Sequence, residues 1–205
     1  MRLIGMLDSP YVRRVAVSLR FMGLPFAHEA VSVFRHYDQF AAINPVVKAP
    51  TLVTDDGVTL MDSTLILDYA ERLVPPDRRL TPAGLSEYAR AQRVLGLALA
   101  ACEKTVQIVY EHNLRPAEKR HQPWIDRVQR QMLAAYRLLE DEVGLSETWL
   151  FGDRPLQADI SLAVIWSFTQ SVLADRVAAA EHPGLSRFAT RAEALPDFLA
   201  FSPND

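Results

Sequence analysis

Apolar and polar positions follow two different rhythms along this chain. Up to about residue 73 the apolar runs are short and change period often. Residues 3–7 form a brief apolar run of the kind that makes a buried strand. Ser9-Pro10 then opens a helix, because serine caps well and proline fits the first helical position. Val12, Val15, Ala16 and Leu19 recur at helical spacing, with Arg13, Arg14 and Arg20 outside that stripe. Gly23 and Pro25 end it. Residues 28–33 alternate enough to predict a second strand, and residues 34–43 form a loose helix or a structured loop that Asn44-Pro45 breaks. Thr51-Leu52-Val53 and Val58-Thr59-Leu60 flank Asp55-Asp56-Gly57, which predicts a hairpin. Asp62-Ser63 caps a helix with Leu65, Ile66, Tyr69, Ala70 and Leu73 on one side.

After this point the strand signals almost vanish. Residues 74–84 carry three prolines and a glycine and read as a linker. Residues 86–112 and 123–143 are long helical patterns, the second with Ile125, Val128, Met132, Ala135, Tyr136 and Leu139 on one face. Residues 158–173 are apolar nearly all round, which suits the centre of a bundle. Residues 183–194 supply a further amphipathic helix before Pro196. The expected architecture is an α/β domain over residues 1–76, a linker over 77–85 and an all-helical bundle domain over 86–205. The strand and helix order of the first domain permits a βαβ unit and a ββα unit in one mixed four-stranded sheet.

Composition narrows the function classes. With 205 residues, 49% of them hydrophobic, the chain can build a core without metal or disulfide staples. Its single cysteine, Cys102, excludes an internal disulfide, a cysteine-rich zinc site and a C-x-x-C pair, and its apolar helical surroundings predict a buried thiol. The net charge of −3 offers no basic field for a nucleic acid, and Lys119-Arg120-His121 reads as a solvated face. No apolar run approaches the ~18 residues of a membrane span. Met1 to Asp8 reaches an acidic residue too soon for a signal peptide, so a cytoplasmic location is expected. The five histidines (His28, His36, His112, His121 and His182) include no i, i+4 pair, so no metal site is expected. A small molecule is the expected partner.

Three places could carry chemistry. Ser9 sits where backbone N–H groups and the helix dipole favour an anion, or it is a plain cap. Ala49-Pro50 stands where a strand starts, and base rates for X-Pro bonds favour the trans form. Asp62-Ser63 either caps its helix or holds a zwitterionic amino acid, the carboxylate on the ammonium and the hydroxyl and backbone on the carboxylate.

Taken together, Ser9-Pro10-Tyr11-Val12-Arg13-Arg14-Val15, residues 44–52 (Asn-Pro-Val-Val-Lys-Ala-Pro-Thr-Leu), Asp62-Ser63-Thr64-Leu65-Ile66-Leu67 and residues 152–160 (Gly-Asp-Arg-Pro-Leu-Gln-Ala-Asp-Ile) resemble four segments of the cytosolic glutathione transferases, serine-type classes such as theta, tau and zeta. The resemblance implies a thioredoxin-like first domain, a helical second domain and a hydrophobic co-substrate pocket between them. It implies glutathione as co-substrate, no metal, an electrophilic small-molecule acceptor, a detoxifying role and a homodimer. Carried over residue by residue, Ser9 would hydrogen-bond the glutathione sulfur, and Ala49 before a cis Pro50 would pair with the cysteinyl backbone. Asp62 and Ser63 would hold the γ-glutamyl end, and Lys48 and His36 the glycine carboxylate. Tyr11, Gln107 and Tyr110 would line the acceptor pocket, or be ordinary helix surface or core.

Three departures matter. Asp62 is one methylene shorter than the family's usual glutamate. Leu156 replaces a common serine or threonine, which removes the capping box and leaves Asp159 to cap or bond elsewhere. The co-substrate pocket varies so much within the family that Tyr11, Gln107 and Tyr110 are assigned from position alone. Separately, because Ser9 stands where some relatives have cysteine, thiol transfer through a protein cysteine is not expected. Glutathione-dependent peroxide or disulfide reduction, or a non-catalytic interaction module, stand as alternatives to thiolate transfer.

Overall fold

The computed structural model describes residues 1–144 and 147–203. The chain divides into two compact units, Met1–Thr81 with Ala194–Asp205, and Pro82–Glu193.

In the first unit, β1 (Arg2–Ile4), β2 (Ala27–Glu29), β3 (Thr51–Val53) and β4 (Thr59–Met61) form one sheet in the order β2-β1-β3-β4. β1 and β2 are parallel, joined by the crossover helix α1 (Pro10–Phe21), as parallel neighbours require. β3 runs antiparallel to β1, and β4 antiparallel to β3. The strands are shorter than the apolar pattern predicts: β1 stops at Ile4, where Gly5 turns the chain, and β2 stops at Glu29. Between β2 and β3 the ambiguous segment resolves into a turn and a short helix, α2 (Tyr37–Ile43). Phe40 packs there with Ile4 and Val31. α3 (Ser63–Glu71) buries Ile66, Leu67 and Ala70.

α1 departs most from its sequence pattern. The apolar spacing predicts one buried stripe, yet all of residues 12–19 are buried, Arg13 and Arg14 among them. The helix packs against β1 and α3 and also against α8 (Pro196–Leu199), a short turn at the end of the chain. Phe198 is fully buried and meets Phe21 edge-on at 6.2 Å, while Phe201 stacks on Phe26 at 5.5 Å. The last residues therefore belong with the sheet unit, whereas the hydrophobic pattern assigns them to the helical domain. Two aromatic side chains spaced three apart give too little periodicity to show which unit they join.

The second unit contains α4 (Leu85–Asn113), α5 (Gln122–Val143), α6 (Gln157–Leu173) and α7 (Pro183–Glu193), with a single turn at Ala117–Lys119 between α4 and α5 and another at Ala179–Glu181 between α6 and α7. α6 is the hub: Ile160 to Trp166 are all buried, against α4 and α7. Cys102 on α4 is fully inside. At the centre Thr105 and Thr169 share a hydrogen bond at 3.0 Å, and the Tyr136 hydroxyl bonds Thr169. Burial pushes the Tyr136 phenol well above its usual range, so the hydroxyl stays protonated.

Leu156 has no side-chain acceptor, so the reciprocal capping box is not made. Asp159 supplies its other half and more. Its carboxylate accepts from the Leu156 amide at 3.0 Å and from the Leu150 amide at 2.8 Å. It thereby fastens the preceding loop to the start of α6. Burial raises the Asp159 carboxyl and these two amides oppose the rise.

Candidate functional site

Sheet register alone gathers three of the sequence-selected segments. Thr51 of β3 pairs with Ile4, the last residue of β1, and with Met61, the last residue of β4. The chain that leaves β1 toward Ser9, the chain that enters β3 from Ala49-Pro50 and the chain that leaves β4 into Asp62-Ser63 therefore all lie at one end of the sheet. Each segment stands at an element terminus, where backbone donors lack intrahelical or ladder partners.

Gly5 allows these segments to close on one another. Its φ is +140°, and a Cβ placed there would meet Val12 Cγ2 at 2.6 Å and Ala49 Cβ at 3.2 Å. Any side chain at position 5 would push α1 or the Ala49 loop away from the strand end. Ser9 is the half-buried N-cap of α1. Its Oγ accepts from the Val12 amide at 3.5 Å, a long bond that leaves the hydroxyl proton available to another acceptor.

The Ala49–Pro50 peptide is cis. The turn before it is held from inside by Asn44, which is buried. Asn44 Nδ2 donates to Thr51 Oγ1 at 2.9 Å, and its Oδ1 accepts from the Val46 amide at 3.0 Å. Thr51 Oγ1 in turn donates to the Lys48 carbonyl at 2.7 Å. Asn44 is thus a shaping residue that pattern reading saw only as a helix breaker. The Lys48 side chain is exposed.

Asp62 caps α3 through Oδ1, which accepts from the Thr64 amide at 2.9 Å. Its backbone has φ +72° and ψ 122°, a region that costs a non-glycine residue ~1–3 kcal/mol. Such a conformation persists where the surroundings over-determine it, and it marks the residue as a site candidate independently of its side chain. Ser63 is buried, and its Oγ accepts from Arg14 Nη1 at 2.9 Å. The same nitrogen reaches Thr64 Oγ1 at 3.3 Å. Arg14 is fully buried, so it places a positive charge between the start of α3 and the first turns of α1. Sequence spacing set this arginine outside the apolar stripe. Its burial depends on hydroxyls some 50 residues away, which periodicity cannot show.

The other candidates are less concentrated. His36 is exposed, and its Nδ1 accepts from the Ser32 amide at 3.2 Å, shaping the turn before α2. Tyr11 lies half-buried in the first turn of α1. Gln107 and Tyr110 belong to α4 in the second unit, where Gln107 Nε2 donates to Glu103 Oε1 at 2.7 Å and Tyr110 is exposed. Among the described residues no cluster of three His, Cys, Asp or Glu could hold a metal ion. Among the same residues no helix is long and apolar enough to cross a membrane.

Residues 3–78 match the model of the glutathione S-transferase N-terminal domain, and residues 122–191 match that of the C-terminal domain. The chain belongs to the glutathione S-transferase family. It is 30% identical to maleylacetoacetate isomerase of Pseudomonas aeruginosa over 93% of this chain and 90% of that relative. A glutathione S-transferase of Methylobacterium radiotolerans, solved in complex with glutathione sulfonate, superposes with a TM-score of 0.89 at 28% identity, covering 97% of this chain and 92% of that one. A glutathione transferase family member of Pseudomonas fluorescens with bound S-(propanoic acid)-glutathione gives 0.83 at 28% identity, covering 98% of each chain. The mixed four-stranded sheet followed by a helical unit is the glutathione S-transferase fold. Within that family fold, the Ser9, Ala49-Pro50 and Asp62-Ser63 segments of this chain all belong to the first unit.

Proposed function

We propose that this chain is a glutathione transferase that binds glutathione as co-substrate at the sheet end described above and adds its thiolate to electrophilic, largely apolar acceptors. One observation carries the reading: strand register sets a hydroxyl at a helix start, a cis-proline turn and a carboxylate-hydroxyl pair at the same end of one sheet. Family membership supports it, as do the glutathione ligands of the Methylobacterium and Pseudomonas relatives.

The chemistry asked of Ser9 is modest. A thiol with a pKa of ~8.5 is only about 3% ionised at pH 7. Lowering that value by two units needs ~2.7 kcal/mol of preference for the anion. One hydrogen bond to a charged acceptor supplies ~1.5–3 kcal/mol. The N-terminus of α1 adds ~0.3–1 kcal/mol. Together these raise the thiolate to about three quarters at pH 7. In this reading Ser9 steadies an anion and is never acylated. Ala49 pairs its backbone with the tripeptide's cysteinyl residue. Asp62 takes the ammonium and Ser63 the carboxylate of the γ-glutamyl end. Lys48 and His36 serve the glycine carboxylate. Tyr11, Gln107 and Tyr110 are assigned to the acceptor side. The acting form is a cytoplasmic homodimer, read from the family resemblance.

A second reading follows from the 30% identity to a maleylacetoacetate isomerase over nearly the whole chain. Reversible thiolate addition to an activated cis alkene, rotation about the resulting single bond and elimination would return the trans isomer with no net use of glutathione. Both readings need the same thiolate. The test is retention on immobilised glutathione followed by a panel of an aryl halide, a conjugated enone, a cis-alkenoate, a hydroperoxide and a small disulfide. Stable thioether products support transfer, and trans alkene without conjugate supports isomerisation. Turnover of the hydroperoxide or disulfide alone would make glutathione a reductant. Failure of both retention and turnover would leave an interaction module.

A further inference from the structure

The C-terminal segment reaches back across the whole sequence to grip the helix that begins with Ser9. We propose that residues 194–203 form a strap that sets the position of Ser9, with Arg13 as the positioning residue through which it acts. The inference rests on the reading of Ser9 as the sulfur ligand.

Arg13 stands one helical turn after Ser9, and its backbone amide donates to the Ser9 carbonyl at 2.9 Å. Its side chain turns inward and is only 4% exposed. Nε donates to the Phe201 carbonyl at 2.7 Å, and Nη2 reaches the Phe198 carbonyl at 3.5 Å. The guanidinium also lies 5.8 Å from the centre of the Phe198 ring. Phe198 belongs to α8 and its carbonyl also accepts from the Phe201 amide at 3.1 Å, whereas Phe201 lies two residues beyond the helix, where no further helical turn follows among the described residues to bond its carbonyl.

The strap has further anchors at the far end of the same helix and just beyond it. Arg20 donates to Asp197 at 3.0 Å and Phe21 meets Phe198, while Phe26, between α1 and β2, stacks on Phe201. Anchors at both ends of α1 fix its position along its own axis. Local capping does not do this for Ser9, because its bond to the Val12 amide is 3.5 Å long. A hydroxyl that must meet a sulfur atom within a few tenths of an ångström therefore takes its placement from Arg13 and the strap. Displacement by ~1 Å is enough to weaken such a contact severely.

The test is a pH titration of the thiolate absorbance of glutathione bound to the full-length protein, with kcat and KM measured alongside. Arg13→Gln removes the charged fork. Phe201→Gly keeps Arg13 but loosens the carbonyl it grips. Ser9→Ala runs in parallel. The expected result is an apparent thiol pKa about one unit higher in Arg13→Gln, a tenfold loss of thiolate at fixed acidic pH, with glutathione KM within about twofold. Phe201→Gly gives a smaller shift in the same direction, about threefold in thiolate. Wild-type titration curves in the folded variants, with Ser9→Ala shifted, overturn the strap and leave the Ser9 assignment standing. An unshifted Ser9→Ala overturns the Ser9 assignment itself. If Arg13→Gln does not fold, Phe201→Gly decides, since its side chain is only half-buried.

Discussion

The two units of this chain hide their polar groups for opposite purposes. In the helical unit the buried hydroxyls of Thr105, Tyr136 and Thr169 satisfy one another, and Asp159 is spent on two backbone amides. Those groups hold helices and a loop in place. In the sheet unit the buried polar groups converge on element ends. Arg14 holds Ser63, Asn44 holds the turn before Pro50, and Arg13 ties α1 to the end of the chain. The sheet unit also keeps Asp62 at a positive φ that a stability-optimised chain would give to glycine. The contrast teaches where to look for chemistry. On the proposed function, a polar group closed within its own network serves stability, whereas one that shapes the end of the sheet where glutathione is assigned serves the ligand.

The contrast can be broken by mutation, and the largest effect is expected at Asp159. Asp159→Asn retains one acceptor where two amides need one each, and it puts an amide donor against a backbone N–H. The orphaned backbone donor and the side-chain amide N–H set against another donor outweigh the relief of burying no charge, so stability should fall by about 3 kcal/mol. At ~2–4 °C per kcal/mol for a chain of this size, the melting temperature should drop by roughly 6–12 °C, with glutathione affinity unchanged. The pH dependence has a definite sign. Burial raises this carboxyl in the folded state, so its contribution is greatest in acid and declines as pH rises from the ordinary value of 3.8 toward the raised one. The stability gap between wild type and Asp159→Asn should narrow over that window in denaturant titrations at stepped pH.

Next comes Asp62→Gly, which should split stability from binding. Glycine accepts the positive φ without strain and still serves as a cap. The melting temperature should stay level or rise slightly. Loss of the carboxylate should raise glutathione KM by about tenfold, the value of one charge-assisted hydrogen bond. Equal losses of stability and affinity would erase the distinction between the two units.

The smallest effect is expected for Thr169→Val. It preserves shape and strips partners from Tyr136 and Thr105, costing about 1 kcal/mol and roughly 2–4 °C. Glutathione binding should not move. A change in glutathione affinity here would show that the bundle's hydroxyl network also serves the ligand.

Legibility from sequence followed the same division. α4, α5, α6 and α7 stand within a residue or two of their apolar patterns, because long amphipathic helices declare themselves locally. The sheet unit was legible in element order but not in extent. Three-residue strands give the alternation too few cycles to fix their ends, and β2 ends sooner than residues 28–33 suggest. α1 misled most, because three neighbours bury it and only one of them, the sheet, leaves a periodic trace. Arg13 and Arg14 owe their burial to partners 188 and 49 residues away. The Ser9, Ala49-Pro50 and Asp62-Ser63 segments could be picked out as element ends. Their meeting at one sheet end came only with the strand register.

Ultraviolet titration of the glutathione thiol bound to wild type and to Ser9→Ala tests the central claim most directly. Turnover alone is a blunter probe, because a less acidic thiolate is also a better nucleophile and recovers part of the lost rate. The account predicts that the bound thiol in wild type titrates about two units below free glutathione, and that Ser9→Ala returns it most of the way. Superimposable titration curves for the two proteins would contradict it.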